Sequence, residues 1–332
     1  MLAYAERALK PLARLRTDMH NLSNNNELDL SVVIPAYRAR NFIERSIQSA
    51  LASSNVDLEI IIVDDCSDDG TADAVEKQFS GDKRVKILRR QSNGGPGAAR
   101  NDGFELAQGR WIGVLDADDE VLPDRFQKLI QAGTVQGHEL VADNITLWDH
   151  RSNQPVSKLL LTEGTTQLDL SALFGASFRT GNDYGLLKPI FLRSFLREKR
   201  LRYRDELRHG EDYEFVAEAL YEGARYCVLR DYSGYRYTTR DGGLSTTSIN
   251  DQAMIDQTRT WFGRPKVRQS RELRKLLRGR ISTLETLRLH RMSGNNSLRG
   301  RLDILRLALK SSAGLHWLID DLSRRISRKT KP

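Results

Sequence analysis

Apolar runs of four or five residues alternate with amphipathic stretches from residue 30 to residue 115. Ser31-Val32-Val33-Ile34 reads as a buried strand ended by Pro35, which cannot donate to a sheet ladder. Asn41 is placed to cap a helix that buries Phe42, Ile43, Ile47, Ala50 and Leu51. Glu59 to Val63 is a second strand, Thr71 to Phe79 a helix and Val85 to Leu88 a third strand. A helix over Pro96 to Gln108 starts with proline where the first turn permits it, and Trp111 to Leu115 is the fourth strand. Continuous apolar strands separated by amphipathic helices predict an α/β fold with a parallel sheet covered on both faces. In such sheets ligands bind beyond the carboxyl ends of the strands. The polar clusters fall at those ends: Tyr37, Asp64-Asp65, Asn93-Gly94-Gly95 and Asp116 to Asp119.

Beyond Pro155 the pattern weakens into mixed strands and helices up to about Arg240. From Met254 the chain reads helical, with Leu273, Leu276, Leu277, Ile281, Leu284 and Leu287 at helical spacing. The organisation expected is an N-terminal helix and linker over 1–28, a main α/β domain over 29–250, itself divided into 29–120 and 121–250, and a helical basic region over 251–332.

Charge sharpens this division. Residues 264–332 carry 19 Lys and Arg against 5 Asp and Glu, a net of +14 in a chain of net +8, which leaves the first 263 residues at −6. A nucleic-acid groove in the main domain is thereby disfavoured, and no aromatic residues interleave with the basic ones as RNA binding would want. Glu6, Arg7, Lys10 and Pro11 interrupt what would have to be the apolar region of a signal peptide, and no apolar run reaches bilayer length. Cys66 and Cys227 lack metal-type spacing. A cytoplasmic protein is expected.

The acidic run Asp116-Ala117-Asp118-Asp119 closes the fourth strand. Crowded carboxylates repel unless a cation lies among them, and Mg²⁺ or Mn²⁺ commonly shares one or two carboxylates with a diphosphate. The competing reading is a polar turn with Asp119 capping the next helix. Gly94 to Arg100 superficially resembles a dinucleotide fingerprint, but Pro96 and the missing third glycine spoil the match. An aspartyl-phosphate phosphatase fits no better, because Glu120 stands where a Thr or Val is wanted.

Five segments in order carry a resemblance: Ser31 to Tyr37, Ile61 to Thr71, Asn93 to Asn101, Leu115 to Asp119, and Gly210-Glu211-Asp212-Tyr213-Glu214-Phe215. With Tyr235-Arg236-Tyr237, Arg240 and Leu244-Ser245 following, the chain resembles the inverting family 2 glycosyltransferases of GT-A fold over Leu30 to about Thr246. Over Gly181 to Leu196, with Leu187-Lys188-Pro189 and Arg193, it resembles the acceptor-side segment of bacterial exopolysaccharide glycosyltransferases, and in appearance it is most similar to the glucosyltransferases of succinoglycan type. Two positions depart from the pattern: Arg38 replaces the usual Asn, and Cys66 the common Gly.

The resemblance implies that 29–250 is a GT-A catalytic domain, with a Rossmann-like nucleotide-sugar half over 29–120 and an acceptor half over 121–250, and with a pocket floored by Pro35, Ala36 and Tyr37. Asp65 would accept a hydrogen bond from the base, and Arg100 would lie beside base or diphosphate. Asp116 would contact ribose or metal-bound water, and Asp118 would ligate the divalent metal, Mn or Mg. Asp212 would be the general base, with Glu211 the competing carboxylate. Glu211, Arg240 and Ser245 are candidate diphosphate or acceptor contacts. Against this, Glu211 and Asp212 could merely open an exposed helix, Arg240 and Ser245 could only shape a loop, and Trp148 and Trp261 could be sugar platforms or core.

The implied donor is UDP-glucose, and the implied acceptor is a polyprenyl-linked oligosaccharide in the cytoplasmic leaflet. The basic tail would then meet the anionic inner face of the membrane, or else mediate dimerisation. No nucleic-acid partner is expected. The reading from another class is a catalytically inactive GT-A-like scaffold that binds carbohydrate or nucleotide.

Overall fold

The computed structural model of the chain describes residues 28–161, 163–176, 184–239 and 250–292. The expected N-terminal helix, Arg240, Ser245 and the tail beyond 292 lie outside the described residues.

The alternation read from the sequence is present in the chain. It runs β1 (Leu30–Ala36), α1 (Ile43–Leu51), β2 (Leu58–Asp64), α2 (Thr71–Phe79), β3 (Val85–Arg89), α3 (Pro96–Leu106) and β4 (Trp111–Val114). These four strands are parallel in the order β3-β2-β1-β4. β1 and β2 are almost wholly buried because helices cover both faces.

After the short β5 (Glu120–Val121) come α4 (Arg125–Gln136), β6 (Leu140–Asp143), β7 (Ile145–Asp149), β8 (Gln154–Lys158), β9 (Thr165–Leu168) and α5 (Leu170–Gly175). Then follow β10 (Ile190–Leu192), α6 (Arg193–Glu198), α7 (Glu211–Tyr221), β11 (Tyr226–Leu229) and β12 (Tyr235–Thr239). The helices α8 (Asp251–Thr260), α9 (Pro265–Gln269) and α10 (Arg271–Met292) end the described chain.

The sheet is mixed rather than parallel throughout. β10 inserts antiparallel between β4 and β6, β11 runs parallel to β6, and β9 closes the eight-stranded sheet antiparallel to β11. A second sheet, β5-β12-β7-β8, stands apart. The parallel expectation came from the first four strands and does not extend past them.

Three local expectations change. β1 continues through Pro35 to Ala36, paired with β2. Its ladder with β4 ends at Val33, whose carbonyl accepts from Leu115 N–H, so the side on which Pro35 lacks a donor has no strand to bond. α1 begins after Phe42 rather than Asn41, and no side chain caps it. Asp119 is not a helix cap, because Asp124 occupies that position of α4.

A buried polar knot fixes the amino ends of the strands. Ser31 Oγ donates to Glu59 Oε1 at 2.6 Å, Gln108 N–H donates to the same oxygen at 2.8 Å, and Lys86 Nζ donates to Oε2 at 2.7 Å. Polar groups this deep need such partners. Across the sheet α3 lies so close to β1 that a Cβ on Gly103 would stand 2.3 Å from Val33 Cγ1. Both devices set the height at which the opposite, carboxyl ends of the strands present their polar residues.

Candidate active site

At the carboxyl edge, Ala36 is buried, Pro35 is partly covered and Tyr37 is 46% exposed, with the Arg38 guanidinium 5.3 Å from its ring centre. The two departures from the family pattern share one backbone feature. Arg38 has φ 51° and Cys66 φ 62°, the left-handed region that Asn and Gly adopt most readily. Arg38 is held there by its N–H on Ser67 Oγ at 3.0 Å and by a fork onto Asp68 at 2.6 and 2.7 Å.

Asp65 follows β2 and is buried. Its Oδ1 accepts from Arg90 Nη1 at 2.5 Å and from Gly94 N–H at 2.8 Å, and Oδ2 accepts from Gly95 N–H at 2.7 Å. The carboxylate thus fastens the glycine turn that opens α3. An ionised carboxylate has about four lone-pair positions, so one on Oδ2 is left for a ligand.

The acidic run is bound on every side. Ser46 Oγ of α1 donates to the Asp119 carbonyl at 2.5 Å, and Arg45 Nη2 donates to the Asp118 carbonyl at 3.0 Å. Asp119 points inward: its Oδ2 accepts from Tyr235 OH at 2.7 Å and its Oδ1 from Thr238 N–H at 2.7 Å. Burial, together with the negative charges of Asp118 and Asp116, holds the Asp119 carboxyl well above the ordinary carboxylate range. Asp116 and Asp118 remain partly exposed.

Asp116 meets the residues at the head of α7. Arg100, 2% exposed, places Nη2 2.9 Å from Asp116 Oδ1 and Nη1 2.8 Å from Glu211 Oε1 and 2.9 Å from Asp212 Oδ1. Lys188 mirrors it, with Nζ 2.8 Å from Asp116 Oδ2 and 2.6 Å from Asp212 Oδ2. The result is a closed ring of alternating charge, Asp116–Arg100–Asp212–Lys188. Burial disfavours ionised Asp116, yet Lys188 and Arg100 outweigh it and hold that carboxyl well below its usual range. Burial would likewise discharge both cations, but Asp212 and Asp116 keep them firmly protonated. For Glu211, burial and neighbouring Asp212 prevail over Arg100 and raise the carboxyl above the usual value.

The structure therefore brings Arg100, Asp116, Glu211 and Asp212 together, with Asp118 beside them in the chain and Asp65, Pro35, Ala36 and Tyr37 at the neighbouring strand ends. The exposed-helix alternative for Glu211 and Asp212 does not hold, since both are largely buried and paired. Trp261 is core: it is 2% exposed and its Nε1 donates to Glu214 Oε2 at 2.9 Å. Lys188 lies in the segment that resembles the acceptor side, but sequence reasoning gave it no role in the site; a lysine in an apolar stretch, Leu186 to Leu192, directly before a strand, was a further signal.

A divalent cation suits the donor set in one respect. The acidic turn carries negative charge from Asp116 and Asp118, which together with burial raises the Asp119 carboxyl. Among the described residues no group of three His, Cys, Asp or Glu could hold an ion unaided. Such a cation would need further oxygen ligands from a diphosphate, as Mg²⁺ sites commonly do.

An α/β edge whose carboxyl ends carry Asp65, Asp116 and Asp118 beside a carboxylate pair at the head of α7 accords with a glycosyltransferase of GT-A fold. The sequence profile described as "Glycosyl transferase family 2" matches residues 31–188, and the chain belongs to this family. It is 40% identical over 221 residues to the succinoglycan biosynthesis protein ExoO of Rhizobium meliloti (strain 1021), covering 65% of this chain and 62% of that protein. It is 34% identical over 227 residues to ExoU of the same organism, covering 65% and 64%. The chain thus spans a little under two thirds of the length of these two relatives. An uncharacterized glycosyltransferase of Haemophilus influenzae is 30% identical over 239 residues, covering 72% of this chain and 89% of that protein. The fold is shared with S. aureus TarS 1-349, solved with UDP-GlcNAc, at a TM-score of 0.59 and 22% identity over 70% of this chain and 65% of that one.

Proposed function

We propose that this chain is a metal-dependent inverting glycosyltransferase that moves a hexose, glucose by resemblance, from a UDP-sugar to a hydroxyl of a lipid-linked oligosaccharide in exopolysaccharide synthesis. The observation that carries the reading is the pairing of Asp116, at the end of β4, with Asp212, at the head of α7, across two buried cations. Donor chemistry belongs at the first position and acceptor chemistry at the second. The relatives in succinoglycan biosynthesis support the polysaccharide setting, and TarS with UDP-GlcNAc supports a uridine diphosphate donor.

Pro35, Ala36 and Tyr37 line the nucleotide side, and the free lone pair of Asp65 accepts from the base. Asp116 orients the ribose. Asp118 would hold Mn²⁺ or Mg²⁺, which neutralises the charge developing on the departing diphosphate. Asp212 takes the proton of the acceptor hydroxyl as that oxygen attacks the anomeric carbon opposite the leaving group, which inverts the configuration in one displacement. Glu211, bonded to Arg100 but not to Lys188, is the competing carboxylate. Arg240 and Ser245, outside the described residues, remain candidates for diphosphate contact. The enzyme works in the cytoplasm, its basic tail meeting the inner membrane face where the acceptor is anchored. Among the described residues no helix is long and apolar enough to cross a membrane.

The test is UDP release with Mn²⁺ across a panel of UDP-hexoses and a lipid-linked acceptor. Release with UDP-glucose well above that with the other donors is expected. No release with any donor would leave only the inactive scaffold.

A further inference from the structure

Lys188 takes part in neither donor nor acceptor chemistry as assigned above, yet it is 5% exposed and carries a charge into the centre of the site. Its ammonium has three N–H groups, and Asp116 and Asp212 lie 2.8 and 2.6 Å from it. A solvent-facing lysine gains little from such pairs. One buried between two carboxylates is worth far more, because removing it leaves like charges facing each other in a poorly screened interior.

Its placement is reinforced from behind. Arg125 is fully buried, donates through Nη2 to the Lys188 carbonyl at 2.5 Å and through Nε to Asp143 Oδ1 at 2.9 Å. Pro189 follows, and β10 then enters the sheet between β4 and β6. The lysine backbone is thus fixed by the sheet and by a buried ion pair rather than by a loose loop, as a precisely held site requires.

From this geometry we infer that Lys188 is a positioning residue: it aims the Asp212 carboxylate at the acceptor hydroxyl and holds it beside the donor-side Asp116. This rests on the assignment of Asp212 as the base. Arg100 cannot do the task alone, since it already serves Asp116, Glu211 and Asp212. Without Lys188 three carboxylates share one guanidinium. One oxygen of Asp212 then loses its partner, and the side chain swings away from the reacting hydroxyl.

Lys188→Met keeps the stem and removes the charge. In UDP-hexose transfer it is expected to lower kcat by about 100-fold or more while donor KM changes less than about 3-fold. In an Asp212→Asn background the same substitution should cost less than about 2-fold further, because the two residues act as a unit. Retained kcat, a donor KM raised about 10-fold with kcat unchanged, or multiplicative losses in the double variant would each overturn the inference. Thermal melting of the same four proteins tests the pair without any activity. The double variant should melt above the point given by adding the two single shifts, and simple additivity overturns the bridge. Wild-type protein inactive with every donor defeats the functional reading, while the melting cycle still decides this one.

Discussion

Asp212 has an oxygen on each of two cations, and each oxygen keeps a further lone pair for a proton. A carboxylate held in this way is aimed, which is what removal of a hydroxyl proton asks of it. Asp212→Asn preserves the shape and the acceptor atom on one side while removing the proton affinity. Turnover should fall by about 10² to 10⁴-fold, with UDP affinity by calorimetry unchanged. Turnover at the wild-type rate would take Asp212 out of the mechanism and turn attention to Glu211. Arg100 was expected beside base or diphosphate; the structure shows it bonded to three carboxylates with its guanidinium 5.2 Å from the Tyr203 ring centre. Sequence alone does not reveal such a pairing, because two of the partners, Glu211 and Asp212, lie more than a hundred residues away.

At the level of elements, the alternation of apolar runs and amphipathic stretches was legible because β1, β2 and β4 are buried on both faces. The bounds of α2, Thr71–Phe79, agree with the reading; β2 is longer than read by one residue at each end, and β3 by one at its carboxyl end. What escaped the pattern was β10, three residues long, and the second sheet, whose β8 is exposed throughout. Short strands held by their neighbours carry too few residues to show a period. The same holds for Glu59, which reads as an ordinary polar strand residue and proves to be the centre of the knot joining β1, β2, β3 and the end of α3. Burial opposes its ionisation, but Lys86, Ser31 and Gln108 overcome this and hold its carboxyl below the usual glutamate value. The stabilisation is therefore present above the unfolded-state value and is lost as pH falls through the lower folded-state value. Glu59→Gln should destabilise the protein by about 1–3 kcal/mol at pH 7 and flatten the acid side of its stability profile. Melting curves between neutral and acid pH that parallel the wild type would contradict this.

On the scale of the molecule, the helical segment 251–292 is joined to the site. Trp261 bonds to Glu214, two residues beyond Asp212, the Arg280 guanidinium lies 3.5 Å from the Tyr213 ring centre, and α10 packs on α8 and α5. The carboxyl-terminal helices therefore brace the head of α7. The site as a whole is an edge built by β1 to β4 and the head of α7, joined by Arg100 and Lys188. The sequence motifs located both parts and Arg100, but not the bridge that Arg100 and Lys188 make between them.

The central claim is that this edge holds a uridine diphosphate through a cation at Asp118. Calorimetric titration of UDP in Mn²⁺ and in excess chelator, on wild type and Asp118→Ala, tests it most directly. The account predicts binding by wild type in Mn²⁺ that weakens by about tenfold or more on chelation, equivalent to about 1.4 kcal/mol, and no metal effect in Asp118→Ala. Equal affinity in all four titrations, or no UDP binding by wild type with Mn²⁺, would contradict it.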